Sequence, residues 1–210
     1  MIHILKSSII LITSYVIVCS TNTFAQSDLS SLENAFMQSY SSEKVGDYGK
    51  SIKILKDNYQ EESYELNLRL GWLHYSAGMY AEAINYYNKS ILLMPMSIEA
   101  RLGYVLPSSA LGNWNQVVKQ YEDILKIDDK HSTANYRLGY IYYVRKDYTS
   151  SFAYFQKVVN LYPFDYDGTH MFAWTNFQLG KMREAKILFQ KTLLIKPGDA
   201  SAKEGLTLIK

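Results

Sequence analysis

The chain has 210 residues, with 22 Lys and Arg against 20 Asp and Glu, and 14% of it is aromatic, including 19 tyrosines. A formal charge of +2 with the two signs interleaved removes any electrostatic case for nucleic acid or an anionic membrane surface. The single cysteine, Cys19, lies so near the start that removal of a leading segment leaves no thiol and no disulfide.

Residues 1-25 read as a signal peptide. Lys6 supplies the positive region, Ser7 to Val18 the apolar stretch, and Thr23-Phe24-Ala25 a small-x-small cleavage site ahead of Gln26. The apolar stretch falls short of the roughly 20 residues that a membrane span needs. Cleavage and export are the expectation. Membrane contact is expected only if Cys19 is lipidated, for which Val18 is a poor preceding residue, or if the segment stays uncleaved. Residues 26-31 form a short linker.

From there the chain repeats. A large apolar or aromatic residue returns at Tyr48, Tyr80, Trp114, Tyr148 and Met182, at a nearly constant interval. A fixed period of about 34 residues marks stacked supersecondary units. Gly46, Gly78, Gly112 and Gly180 each stand two places ahead of those positions, and Lys146 fills the slot in the fourth unit. The period divides the chain into 32-63, 64-97, 98-131, 132-165 and 166-199, with a capping helix at 200-210.

The second unit reads Leu70-Gly71, Gly78-Met79-Tyr80, Ala83, Tyr87 and Pro95; the fourth reads Leu138-Gly139, Tyr142, Tyr148, Phe155 and Pro163. The fifth reads Phe172-Ala173, Gly180, Ala185, Phe189 and Pro197. This pattern resembles the tetratricopeptide repeat (TPR). The resemblance implies an all-α solenoid, a right-handed superhelix of helix-turn-helix repeats, and a bacterial protein exported to the periplasm. Small Gly71, Gly139 and Ala173 allow the first helix of a unit to approach its second, as Ala83 and Ala185 do from the other side. Pro95, Pro163 and Pro197 stop the second helices, and Ser97, Asp165 and Asp199 are placed to cap the next ones. The first unit departs from the pattern, with Gln38-Ser39 for Leu-Gly and Ser63 in place of the proline. Pro107, with Gly103 four positions earlier, predicts a kink in the third unit. Leu206, Leu208 and Ile209 give the tail more apolar surface than a short cap needs, so homo-oligomer formation through the tail stands beside ordinary packing.

No catalytic constellation, phosphate loop, cofactor motif or metal pair of histidines is present. His74 replaces a tyrosine of the pattern and reads as packing. Asp165-Tyr166-Asp167-Gly168 lacks the later ligands of a calcium loop and reads as a helix cap. The protein is therefore expected not to be an enzyme.

Carrying the family's groove positions across gives Glu33, Phe36, Tyr40 and Glu43, then Glu65, Leu68, Trp72 and Tyr75. The third unit gives Glu99, Leu102, Leu106 and Ser109. The fourth gives Thr133, Tyr136, Tyr140 and Tyr143, and the fifth Asp167, His170, Trp174 and Phe177. Within each unit the spacing of three or four positions puts them on one helical face. Arg69 and Arg137 recur beside them. The candidate partner-binding residues are Phe36, Tyr40, Arg69, Trp72, Tyr75, Tyr136, Arg137, Tyr140, Tyr143, His170, Trp174 and Phe177. Tyr and Trp suit this role because they bring large contact area and a polar edge at little entropic cost. The carboxylate clamp of the chaperone-binding subclass is absent, since its positions hold Phe36, Tyr40, Arg69, Glu99 and Gly103. The resulting expectation is a non-catalytic scaffold of the bacterial cell envelope that binds a protein partner's peptide or helix. A glycan-binding module with stacked aromatics and a self-assembling structural subunit are the alternatives.

Overall fold

The computed structural model describes residues 29–209. The signal segment, Cys19 and the first residues of the linker lie outside the described residues, as does Lys210. Every regular element among the described residues is an α-helix. Helix α1 covers residues 29–44. It is followed by α2 (Tyr48–Asp57), α3 (Tyr64–Ser76), α4 (Tyr80–Leu93), α5 (Ile98–Ala110) and α6 (Trp114–Ile127). Then come α7 (Ser132–Val144), α8 (Tyr148–Leu161), α9 (Tyr166–Gln178), α10 (Met182–Ile195) and α11 (Ala200–Leu208). The chain divides between Leu93 and Met94 into two compact units. Unit 1 contributes α1 to α4, and unit 2 contributes α5 to α11.

Helix ends follow local chemistry. Side chains of Ser63, Ser97, Asp165 and Asp199 accept hydrogen bonds from the backbone N–H groups of Leu66, Ala100, Gly168 and Ala202. Each satisfies one of the donors that a helix start leaves open. His131 fills the same slot ahead of α7, its Nδ1 accepting from Ala134 N–H at 3.2 Å. The five caps follow one another at the repeat period, which corrects the reading of Ser63: it occupies the cap slot of Ser97 and not a proline position. Helix α5 runs on past Pro107 to Ala110 without a break.

A second fastening recurs one turn into the first helices. Asn67 Nδ2 donates to the carbonyls of Glu61 and Ser63, and Asn135 Nδ2 to those of Asp129 and His131. Arg101 stands in the same position, and its Nη2 reaches the Pro95 carbonyl at 2.8 Å. Each bond ties the inter-repeat loop to the helix that follows by giving loop and cap carbonyls a side-chain donor.

The cores alternate large and small. In unit 1, Ile52, Leu55, Leu66, Leu70 and Leu73 pack together with Ala35. In unit 2, Val105, Val117, Tyr121, Ile124 and Leu138 form one cluster, and Ala173, Ala185, Phe189 and Ala202 a second. Gly71 lies against the Tyr87 ring and Gly139 against the Phe155 ring, so close that an added Cβ would sit 3.0 Å from ring carbons. Gly205 of α11 is tighter still, since an added Cβ there would fall 2.3 Å from Cζ of buried Phe189. The tail docks through this glycine. Leu206 and Ile209 turn onto the same cluster, and Leu208 remains exposed.

His74 is buried, as packing requires, with Nδ1 2.8 Å from the Leu70 carbonyl and its ring against Tyr86. Burial lowers its pKa, so the neutral ring fits this interior.

Candidate functional site

The first helices of each unit carry core residues on one face and the predicted rings on another. In unit 1, α1 supplies Phe36, Tyr40 and Glu43, and α3 supplies Arg69, Trp72 and Tyr75. Tyr40 is 51% exposed and Trp72 40%, while Phe36 and Tyr75 are half-buried beside them. Phe36 lies 6.2 Å from Tyr40, and Tyr75 bridges Trp72 and Tyr80 at 5.9 Å each.

A polar knot joins the two helices. The Glu43 carboxylate accepts from Arg69 Nη2 on one oxygen and from Trp72 Nε1 at 2.5 Å on the other. The Arg69 guanidinium also lies 4.1 Å from the centre of the Tyr40 ring. Burial pushes the Glu43 carboxyl up, but the bonds from Arg69 and Trp72 and the Arg69 charge outweigh it, leaving it below the ordinary value. Arg69 Nη2 and Trp72 Nε1 are thus satisfied inside the unit, while Arg69 Nε is buried without a partner.

In unit 2, α5 supplies Leu102, Leu106 and Ser109, and α7 supplies Tyr136, Arg137, Tyr140 and Tyr143. Tyr140 is 45% exposed and Leu106 38%, at the same helical offset as Tyr40 and Trp72. Tyr136 turns toward Phe155 at 5.7 Å, and Tyr143 packs against Tyr148 at 5.5 Å. Burial raises the pKa of both. Arg137 is exposed and forms no ion pair among the described residues.

The fifth-repeat trio behaves differently from the other predicted rings. Trp174 packs edge-on against Phe189 at 4.9 Å and joins the core cluster with Phe177. Its Nε1 donates to Ser201 Oγ of α11 at 3.0 Å, and His170 Nε2 lies 2.9 Å from the same hydroxyl. His170 also stacks on Tyr166 at 5.4 Å, and burial lowers its pKa. Trp174, one of the candidate partner-binding rings, is thus half-buried with its polar edge taken by α11, unlike Tyr40, Trp72 and Tyr140. The signal in the sequence for this close docking is Gly205, which stands beside the apolar Leu206, Leu208 and Ile209. Of the acidic groove positions, Glu65, Glu99 and Asp167 stand in the first turns of α3, α5 and α9, where they complement the helix dipole.

Among the described residues, no group of three or more His, Cys, Asp or Glu is placed to hold a metal ion. No described helix is long and apolar enough to cross a membrane.

The sequence pattern of the tetratricopeptide repeat family matches residues 64–97 and residues 107–166. Among solved structures, a tetratricopeptide repeat protein from Parabacteroides merdae superposes with a TM-score of 0.73 at 20% identity, covering 86% of this chain and 72% of that one. A MamA protein aligns with a TM-score of 0.69 at 17% identity over 79% of this chain and 92% of that one. MamA from Desulfovibrio magneticus gives a TM-score of 0.67 at 16% identity, over 81% and 97%. In sequence, 97 residues are 27% identical to an inactive TPR repeat-containing thioredoxin, TTL3, of Arabidopsis thaliana. That stretch is 46% of this chain and 14% of the relative's length.

With its helix pairs, its closing glycines and the matched repeats, the chain belongs to the tetratricopeptide repeat family. Repeats of this family typically build non-catalytic scaffolds for protein interaction.

Proposed function

We propose that this protein is an exported, non-catalytic scaffold that holds a partner protein's peptide or helix on the exposed rings of its first helices. The observation that carries the reading is the recurrence of Tyr40, Trp72, Leu106 and Tyr140 at one helical offset. All four are exposed, although the opposite face of each helix is buried. Isolated exposed apolar residues are ordinary, but rings repeated at one offset favour a contact surface. Aromatic anchors of this kind dominate binding energy at interfaces, at about 2 kcal/mol or more for a hot spot. Export, with cell-envelope residence, rests on Lys6, the apolar run to Val18 and Thr23-Phe24-Ala25.

The test is affinity capture from a native envelope extract, comparing the mature chain with a Trp72→Ala/Tyr140→Ala double variant. Both replaced rings lie outside the buried clusters, so the variant is expected to retain its helical circular dichroism. A protein retained by the original chain and lost by the folded variant is the expected result. Equal recovery on both would remove the rings from the binding surface.

A further inference from the structure

Unit 1 carries a second feature away from its first-helix rings, a polar furrow between its second helices α2 and α4. Lys56 of α2 lines it, with Glu82, Asn85, Tyr86, Asn88 and Lys89 of α4, around a depression of about 460 Å³. Positions 82, 85, 86 and 89 fall three and four residues apart and share one face of α4, whereas Ala83, Tyr87 and Ser90 are buried on another. Lys89 ties α4 back to the chain before α3, its ammonium donating to Glu61 at 2.7 Å and to the Tyr59 hydroxyl at 3.1 Å. Tyr86 supplies the ring. It is half-buried, edge-on to Tyr59 at 6.0 Å and packed against buried His74 at 4.9 Å.

The other lining groups have no protein partner. Glu82, Asn85 and Asn88 are exposed, and their side chains make no hydrogen bond or ion pair among the described residues, nor does the Tyr86 hydroxyl. The Lys56 ammonium lies over the Tyr86 ring at 5.9 Å. With Lys89 neutralised by Glu61, the free charges of Lys56 and Glu82 cancel. Two carboxamides remain, each a donor and an acceptor at once. Unit 2 lacks this set. Tyr154 stands there in the place of Tyr86 and packs against Tyr142 at 5.7 Å, as Tyr86 does against His74. Ala153, however, replaces Asn85, and Ser150 replaces Glu82 with its hydroxyl committed to Asp147 at 2.6 Å. The ring therefore belongs to repeat packing, and the free amides are an addition of unit 1.

We propose that this furrow binds a neutral saccharide, with the Tyr86 ring against the C–H face of a sugar and Asn85 and Asn88 on its hydroxyls. A hydroxyl donates and accepts together, which is what a carboxamide matches. Residues three apart on a helix stand about 5–6 Å from each other at Cβ, the scale of one sugar ring. The volume lies in the range of small-molecule sites, roughly 300–1,000 Å³. An ionic ligand gains nothing from charges that cancel. A peptide would want aliphatic or further aromatic anchors, and Tyr86 is the one apolar ring among the six lining residues. The site stands on second helices and is independent of the partner surface proposed for the first helices, so either reading can fail without the other.

The experiment titrates the isotope-labelled full chain with glucose, galactose, mannose, N-acetylglucosamine, maltose and cellobiose, following backbone and side-chain amides by nuclear magnetic resonance. At least one sugar is expected to shift the Asn85 and Asn88 carboxamides saturably, with little dependence on salt. An Asn85→Ala/Asn88→Ala variant, changed at two exposed helix positions, is expected to keep the melting transition. It should weaken that sugar about ten-fold or more, read through the α4 backbone amides, the scale for losing two hydrogen bonds. A panel that moves none of these amides, or a sugar that binds the double variant equally well, would overturn the site. Shifts centred on Tyr40 and Trp72 would overturn it too, by moving the sugar to the first-helix rings. So would a response to free glutamate or lysine without one to any sugar, which would make the ligand ionic.

Discussion

Unit 1 and unit 2 present the same first-helix face with opposite electrostatic outcomes. In unit 1 the arginine at position 69 is locked between Tyr40 and Glu43, with its side chain only 12% exposed. In unit 2 the arginine at position 137 has lost both companions and stands in solvent. Two substitutions on the preceding helix, Tyr to Leu and Glu to Ser, separate a structural arginine from an available one. Repeat position alone therefore does not assign a role. The role depends on what the neighbouring repeat supplies.

Removing the carboxylate gives the largest test of that contrast. Glu43→Ala leaves a nearly buried guanidinium without its counter-charge and frees Trp72 Nε1, so about 2 kcal/mol of stability should be lost. The loss should appear as faster amide exchange in α1 and α3. Arg137→Ala, with no partner to abandon, should change stability by less than about 0.5 kcal/mol. Comparable losses from the two would erase the distinction between the units.

Much of this architecture was legible because turn chemistry and small residues repeat with the period. Gly71, Gly139 and the capping residues Ser97, Asp165 and Asp199 all do what their types suggest. The first unit was harder to read, because α2 has 10 residues where α4, α6, α8 and α10 have 14. The shortened helix slides the pattern by two places, so Ser63, which caps α3, falls near the slot where later repeats have a proline. The groove was legible as a list of rings but not as a sorted one. Whether Trp174 faces solvent depends on α11, and whether Arg69 is free depends on Glu43, on the first helix of the preceding repeat. Such pairings arise from packing between repeats, which the period does not encode. The Arg101 side chain shows the same limit: it fastens its loop as Asn67 and Asn135 do, with a different functional group.

The second test asks where the units agree. Gly71 and Gly139 hold equivalent places against Tyr87, 2% exposed, and Phe155, fully buried. A methyl group at either site meets a ring that has nowhere to go. Gly71→Ala and Gly139→Ala should each destabilise by about 1 kcal/mol, the overpacking cost outweighing alanine's better helix propensity. Equilibrium denaturation would measure both. A loss in only one unit would show that the helix pairs are less alike than their registers indicate.

The smallest effect concerns the turn between paired helices. In unit 1, Gly78 has φ +76°, its N–H bonds to the Tyr75 carbonyl, and Met79 N–H bonds to that of His74. In unit 2, Lys146 sits at the equivalent place with φ 62°, its N–H on the Tyr143 carbonyl and Asp147 N–H on that of Tyr142. The same helix-ending motif, made with glycine at 46, 78, 112 and 180, is therefore made at Lys146 with a side chain whose Cβ crowds the left-handed conformation. The cost of that crowding, about 1 kcal/mol, is partly offset because lysine leaves the unfolded chain less freedom than glycine. Lys146→Gly should accordingly stabilise unit 2 by about 0.5 kcal/mol, and Gly78→Ala should weaken unit 1 by about 0.5 kcal/mol. Thermal denaturation of both variants against the parent chain reads the two signs. A Lys146→Gly variant that melts earlier would mean that the lysine side chain contributes more to unit 2 than its strained backbone costs, and the two turns would then be alike in geometry only.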